Sequence, residues 1–461
     1  MISRFKITRL FGFRNVDINF NHNIKVLIGE NGFGKTTVLN SLYYLLNNKY
    51  KRLSKIEFEE IDIYFASGDN FVFSKFDLDK YLKEIENNRR RKLPLNLIKV
   101  LEQYDLSFIE EYDEFNEEVS DLIIQFIRKS KIKRFQPSMQ LMSKYIFQYV
   151  KKKITFNIFE EFEIFKQKLD FKLIYLPTYR RVEEDLNNLG NFEEKIIDYR
   201  NDSRYLLEVE EDREISNDTL IHFGMEDVRK KVIEIETEIE KSTISGFSKL
   251  TGEMLSQLLR GFPSIGSEFI YDLDIQTAKI ILNRVGDSLS KIDKENINRL
   301  LESKESLKEK VELVYFISKL IGIYNEHKYL DDTLKLFKDI CNKYLVDKEF
   351  RYDESSIDLD IYRINTKERV ELNKLSSGEK QIISILTKIY LEKSNNLVIL
   401  FDEPELSLSL PWQKQLLPDI MNSGKCTFLL AVTHSPFIFD NELENYAVGI
   451  NMYMDDLSDE D

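Results

Sequence analysis

The chain has 461 residues, 42% of them hydrophobic and 12% aromatic, which suffices for a large core and about three domains' worth of chain at ~150 residues each. Its 8 Pro and 16 Gly exclude a linker-rich or disordered protein, and its net charge of −14 excludes one that simply coats DNA. No signal peptide, membrane span or cysteine framework is readable, and His22, His222, His327 and His434 lie far apart. A soluble, cytoplasmic protein with no membrane contact is expected.

In chain order, residues 5–10 and 16–20 alternate as half-buried strands do. Residues 24–28 form an apolar run that stops at Gly29, as a buried parallel strand would. Residues 29–36 read Gly-Glu-Asn-Gly-Phe-Gly-Lys-Thr and fit the P-loop pattern G-x-x-x-x-G-K-[ST]. A helical pattern follows at Val38, Leu39, Leu42, Leu45 and Leu46. Such a loop curls its N–H groups toward phosphate oxygens beside a helix N-terminus. Gly29, Asn31, Gly32, Gly34, Lys35, Thr36 and Thr37 are therefore the expected ATP-binding residues. Lys35 would neutralise the β- and γ-phosphates, and Thr36 would hold Mg²⁺.

Residues 61–65 and 71–73 look like a hairpin. From 77 to 170 the pattern is helical and charge-segregated. Residues 102–121 hold nine acids and no Lys or Arg, whereas 128–153 hold nine Lys or Arg and no acid. Phe126, Phe135, Tyr145, Phe147 and Tyr149 lie within or beside the basic stretch. That composition fits single-stranded nucleic acid, an acidic protein partner, or a solvated basic face beside the acidic segment. Residues 171–181 look like a strand that stops at Pro177, with Arg180 and Arg181 beyond it. Residues 183–349 read as mainly helical. Val228, Val232, Ile235 and Ile239 form one apolar stripe, under two heptads long, so a long coiled-coil arm is not expected. Strands return at 357–364, 397–401 and 428–432. The acidic residues 455–461 read as a solvated terminus.

Three further stretches carry chemistry. Residues 375–381, Leu-Ser-Ser-Gly-Glu-Lys-Gln, open a helical pattern. Ser376, Ser377 and Gly378 could bind an anion there or serve as an ordinary helix cap. The strand at 397–401 ends in Asp402 and Glu403. Asp402 would reach Mg²⁺, and Glu403 would polarise the attacking water. A second strand ends at His434, placed to sense a γ-phosphate.

This ordered set resembles the ATP-binding-cassette ATPases of the SMC, Rad50 and RecF branch. It is similar to their Walker A (29–36), signature (375–379), Walker B (398–403), D-loop (405–409) and H-loop (His434). One departure is Ser377-Gly378 where transporters carry Gly-Gly. The resemblance implies an α/β fold: an ABC-type P-loop ATPase head with a large, mostly α-helical insertion. The head would comprise residues 1–75 and 350–461 and the insertion 76–349, with the 171–181 strand returning to the head. It also implies ATP hydrolysis, with Lys35, Glu403 and His434 catalytic and Thr36 and Asp402 on the metal. Ser376 and Gly378 of one subunit would complete the site of another, so at least a dimer, and a higher-order homo-oligomer, is expected.

The phrases at 176–181, 375–382, 402–409 and 433–441 resemble bacterial anti-phage ATPases encoded beside an effector nuclease, those of the PARIS system first and of Septu second. PARIS-type resemblance implies a scaffold that holds a Toprim-type nuclease inactive until a phage anti-restriction protein, an acidic DNA mimic, triggers release. Septu-type resemblance implies an HNH nuclease partner. Only 27 residues follow His434, so any nuclease is expected on a separate chain. A RecF-like repair ATPase acting directly on DNA is the competing class.

Overall fold

The computed structural model describes residues 1–30, 32–89, 109, 112, 115–129, 139–140, 142–144, 146–147, 158–178, 225–263, 273–284, 290–303 and 310–457. The described strands, in chain order, are β1 (Ile2–Leu10), β2 (Arg14–Asn19), β3 (Ile24–Ile28), β4 (Glu60–Phe65), β5 (Asn70–Ser74), β6 (Lys172–Leu176), β7 (Lys348–Asp353), β8 (Asp358–Arg363), β9 (Arg369–Val370), β10 (Leu397–Asp402), β11 (Cys426–Thr433), β12 (Ala447–Gly449) and β13 (Met454–Asp456). The chain forms two compact units, Met1–Leu173 with Tyr446–Asp461, and Ile174–Asn445.

In the first unit a mixed-length antiparallel sheet runs β13-β2-β1-β4-β5. Its register places Phe5 beside Ile18 and Ile63, and Ile7 beside Val16 and Ile61. All six are fully buried, so strict alternation along the strands produces one apolar face. The Ile158–Lys168 helix adds Phe159 and Phe162 against Phe73, with ring centres 5.2 Å apart in both pairs. β3 pairs in parallel with β12.

The start of the acidic end, read from its sequence as a solvated terminus, forms a short strand whose Asp455 and Asp456 stay exposed to solvent. Met454–Asp456 closes the free edge of β2, with Met454 opposite Val16 and Asp456 opposite Arg14. The Arg14 guanidinium forks onto the Asp456 carboxylate and holds it below the usual carboxylate range. An unpaired strand edge and a matching cation thus order Asp456 while leaving it more than half exposed to solvent.

In the second unit two helices, Met225–Arg260 of 36 residues and Val311–Asn342 of 32, pack antiparallel. Glu253 pairs with Lys319, Phe247 meets Phe316, and Gly246 lies against Ile323. The pair is far longer than the Val228–Ile239 stripe suggested. The contact face continues through Thr243, Gly246, Phe247, Leu250 and Met254, and its small and aromatic members fall outside an aliphatic count. Arg284, at the end of the Ile275–Arg284 helix, is 3% exposed and forks onto Asp331, which is 1% exposed. Its Nε donates to the Glu354 carbonyl at 2.7 Å, and Tyr352 Oη donates to Asp331 at 2.5 Å. This network joins the helices to the β7–β8 hairpin, part of the antiparallel sheet β7-β8-β9.

The same unit holds the parallel pair β10–β11, with β6 beside β10. Every residue of β10 is buried, the continuous apolar run that a doubly covered parallel strand requires. Among the described residues no helix is long and apolar enough to cross a membrane.

Replacing Arg284 by Met strands the buried Asp331 carboxylate. Denaturant unfolding should show a loss of about 3–5 kcal/mol, and the double replacement Arg284→Met with Asp331→Leu should recover part of it.

Candidate nucleotide site

In the first unit β3 delivers the loop that starts at Gly29. Gly32 and Gly34 have φ of +94° and +81°, the left-handed region that costs an L-residue about 1–2 kcal/mol. At Gly34 a Cβ would also stand 3.0 Å from the Phe11 ring. The Lys35–Leu46 helix begins directly after it. No side chain caps this helix and no acid lies in its first turn, so the positive end of its dipole faces the loop. Lys35 is buried, and its Nζ donates to the Gly29 and Glu30 carbonyls at 2.7 and 3.0 Å. Thr36 and Thr37 follow on the first turn, both half-buried. Asn31 lies outside the described residues, as do Arg180, Arg181 and most of the basic 128–153 stretch.

In the second unit β10 carries Asp402, fully buried, at its last position. Glu403 then turns into the left-handed region, φ +50°, while its N–H bonds the Val432 carbonyl at 2.9 Å. Glu405, 5% exposed, accepts from the His434 and Ser435 N–H groups at 2.9 and 3.1 Å through one oxygen. The His434 ring contacts the carboxylates of both Glu403 and Glu405 through Nδ1. Burial first, and then the neighbouring Glu405, push the Glu403 carboxyl up to about 7, against the opposing pull of His434. Gln413 Nε2 donates to the Glu405 and Leu408 carbonyls at 3.3 and 3.0 Å, and its oxygen accepts from Ser435 Oγ at 2.8 Å. Sequence reading placed Glu405 only at the start of the D-loop-like 405–409 stretch, without its buried carboxylate contacts, and passed over Gln413. The available signal was Pro404, which turns the chain so that the second acid after the strand comes back to it.

The 375–381 stretch is capped by its own residues. Ser376 is the N-cap of the Ser377–Tyr390 helix and forms a capping box with Glu379. Lys348 on β7 holds the other Glu379 oxygen at 3.0 Å. Ser377 is exposed. Gly378 is buried, and a Cβ there would stand 2.8 Å from the Ser407 carbonyl and 3.1 Å from Trp412. Thr36 carries a hydroxyl and Asp402 a carboxylate, each a hard oxygen of the kind Mg²⁺ takes. Ser376→Ala should lower unfolding stability by about 1 kcal/mol. Gly378→Ala must displace backbone at Ser407, so thermal melting should register a larger loss than for Ser376→Ala.

The AAA ATPase domain family model matches residues 1–439. Among solved structures the chain is similar to the Smc head domain with a coiled coil and joint from Pyrococcus yayanosii. That match has 16% identity, covers 95% of this chain and 93% of that one, and has a TM-score of 0.30. It is also similar to the Smc head domain with an extended coiled coil, bound to the C-terminal domain of ScpA, from Pyrococcus furiosus. There the identity is 12%, the coverage 95% and 90%, and the TM-score 0.33. No curated protein matches. With a P-loop leading into a helix, a buried strand ending in Asp402 and Glu403, and a family match across nearly the whole chain, the protein belongs to the AAA ATPase domain family.

Proposed function

We propose that the protein is a Mg²⁺-dependent ATPase whose nucleotide cycle switches an oligomeric scaffold. The observation that carries the ATPase reading is the pairing, in one chain, of an intact P-loop with a buried strand ending in Asp402 and Glu403. Lys35 and the loop N–H groups would bind the phosphates. Thr36 and Asp402 would hold Mg²⁺, which supplies charge neutralisation when bound. Glu403 would take a proton from the attacking water, and His434 would face the γ-phosphate. Ser376 to Gly378 of a second copy would complete the site, making ATP a removable link between subunits.

The finer reading is a sensor-scaffold of anti-phage defence, most like the AriA-type subunit of PARIS, holding a separately encoded Toprim-type nuclease until a phage protein releases it. Sequence phrases at 375–382, 402–409 and 433–441 support it; a Septu-type scaffold with an HNH nuclease shares them. The long antiparallel helix pair favours a second reading, a RecF- or SMC-like ATPase acting on DNA. Co-purification with a nuclease encoded by the adjacent gene supports the first. DNA stimulation of hydrolysis that falls steeply with salt supports the second.

Lys35→Ala should abolish nucleotide binding in a titration with labelled ATP. Glu403→Gln should bind ATP yet hydrolyse it at least about 100-fold more slowly; turnover at the wild-type rate would remove Glu403 from the mechanism. The base must be ionised to accept a proton, and its carboxyl sits near 7. Wild-type kcat should therefore fall about tenfold per pH unit below that value and level off above it.

A further inference from the structure

The last described residues of the chain run beside the strands next to the phosphate-binding loop within the first unit. β12 runs parallel to β3, the strand that feeds the loop. Ile450, fully buried, lies where a Gly29 Cβ would meet it at 2.8 Å. Tyr453 Oη bonds Lys25 Nζ on β3 at 2.6 Å. β13 then pairs with β2 and sets Asp456 opposite Arg14.

Arg14 reaches the loop itself. Two of its donors are committed to Asp456, Nε to Oδ1 at 2.5 Å and Nη2 to Oδ2 at 2.7 Å. A bidentate carboxylate fixes the guanidinium plane as well as its position. From that fixed plane Nη1 reaches the Phe33 carbonyl at 3.5 Å, and the guanidinium carbon stands 5.6 Å from the Phe33 ring centre. Phe33 sits between the two left-handed glycines, Gly32 and Gly34, the most permissive part of the loop. Ordering such a segment when phosphate binds costs affinity, and a restraint that orders it beforehand recovers that affinity.

We propose that Asp456 is a positioning residue for nucleotide binding, acting through Arg14 to hold the phosphate-binding loop at Phe33. The proposal rests on the reading of Gly29–Thr36 as the ATP site. Its role is to pre-order the loop; Asp456 touches no substrate and takes no part in hydrolysis.

The test compares ATP binding and steady-state hydrolysis of the full chain as wild type, Asp456→Ala, Asp456→Asn, Asp456→Glu, Arg14→Ala and the Asp456→Ala/Arg14→Ala pair. Asp456→Ala and Asp456→Asn should each raise KM and Kd for ATP about fivefold, the low end of ordinary site coupling, with kcat unchanged. Asp456→Glu should restore most of the affinity. The double variant should bind no more weakly than Arg14→Ala, because the acid acts only through the arginine. Folded Asp456→Asn with wild-type KM and a lowered melting temperature would mean a merely structural strand clasp and overturns the proposal. So does a full further loss of affinity in the Arg14→Ala background. If the wild type itself binds no ATP, the ATP-site reading falls and takes this one with it.

Discussion

One buried carboxylate organises the β10 and β11 ends of the second unit. Glu405 is almost fully enclosed, and a buried carboxylate without donors costs several kcal/mol. It finds donors in the His434 and Ser435 backbone N–H groups. Those residues directly follow β11, whereas Glu405 follows β10. Satisfying one charge therefore fixes the ends of two parallel strands against each other. Gln413 extends the lock by bridging the Glu405 carbonyl and the Ser435 hydroxyl. His434 is then held with its ring against Glu403. The left-handed backbone of Glu403 is strained for a residue with a Cβ, and it persists because its N–H is tied to Val432 and its side chain to His434.

Each functional side chain already has an internal partner. Lys35 bonds carbonyls of its own loop, Ser376 and Glu379 cap each other, and Glu403 contacts His434. Binding a nucleotide at such groups exchanges hydrogen bonds, and the net gain per bond is small, about 0.5–1.5 kcal/mol.

Much of this was legible from residue order. The P-loop, the hairpin at 61–73 and the buried runs at 24–28, 397–402 and 428–432 announce themselves through glycine spacing and hydrophobic period, which are local properties. What escaped depends on contacts distant in sequence. β13 exists because β2 has a free edge and Arg14 a free fork, neither visible in an acidic tail. The length of the helix pair was hidden because Gly246 and Thr243 serve as contact positions without being apolar bulk. Glu405 looked like any acid after a strand, because its burial follows from the turn at Pro404 and the fold of β11. Ser376 was ambiguous between anion site and cap, and the capping box with Glu379 settles only the cap.

β7 gives the second unit a further property. At one end Tyr352 donates to Asp331, the partner of Arg284, and so joins the strand to the helix pair. At the other end Lys348 bonds Glu379, the acid that closes the capping box on Ser376. One six-residue strand thus carries both a buried ion-pair network and the clasp of the Ser377–Tyr390 helix. Strands are stiff along their length, and packed polar networks rearrange as units rather than yielding gradually. A displacement of the helix pair large enough to break Arg284 from Asp331 must therefore either tear Tyr352 away or move β7. Moving β7 pulls Lys348 from Glu379. The helical region and the Ser376–Gly378 stretch are for this reason mechanically one object within the unit, even though more than half the unit's sequence separates the start of the helix pair from that stretch.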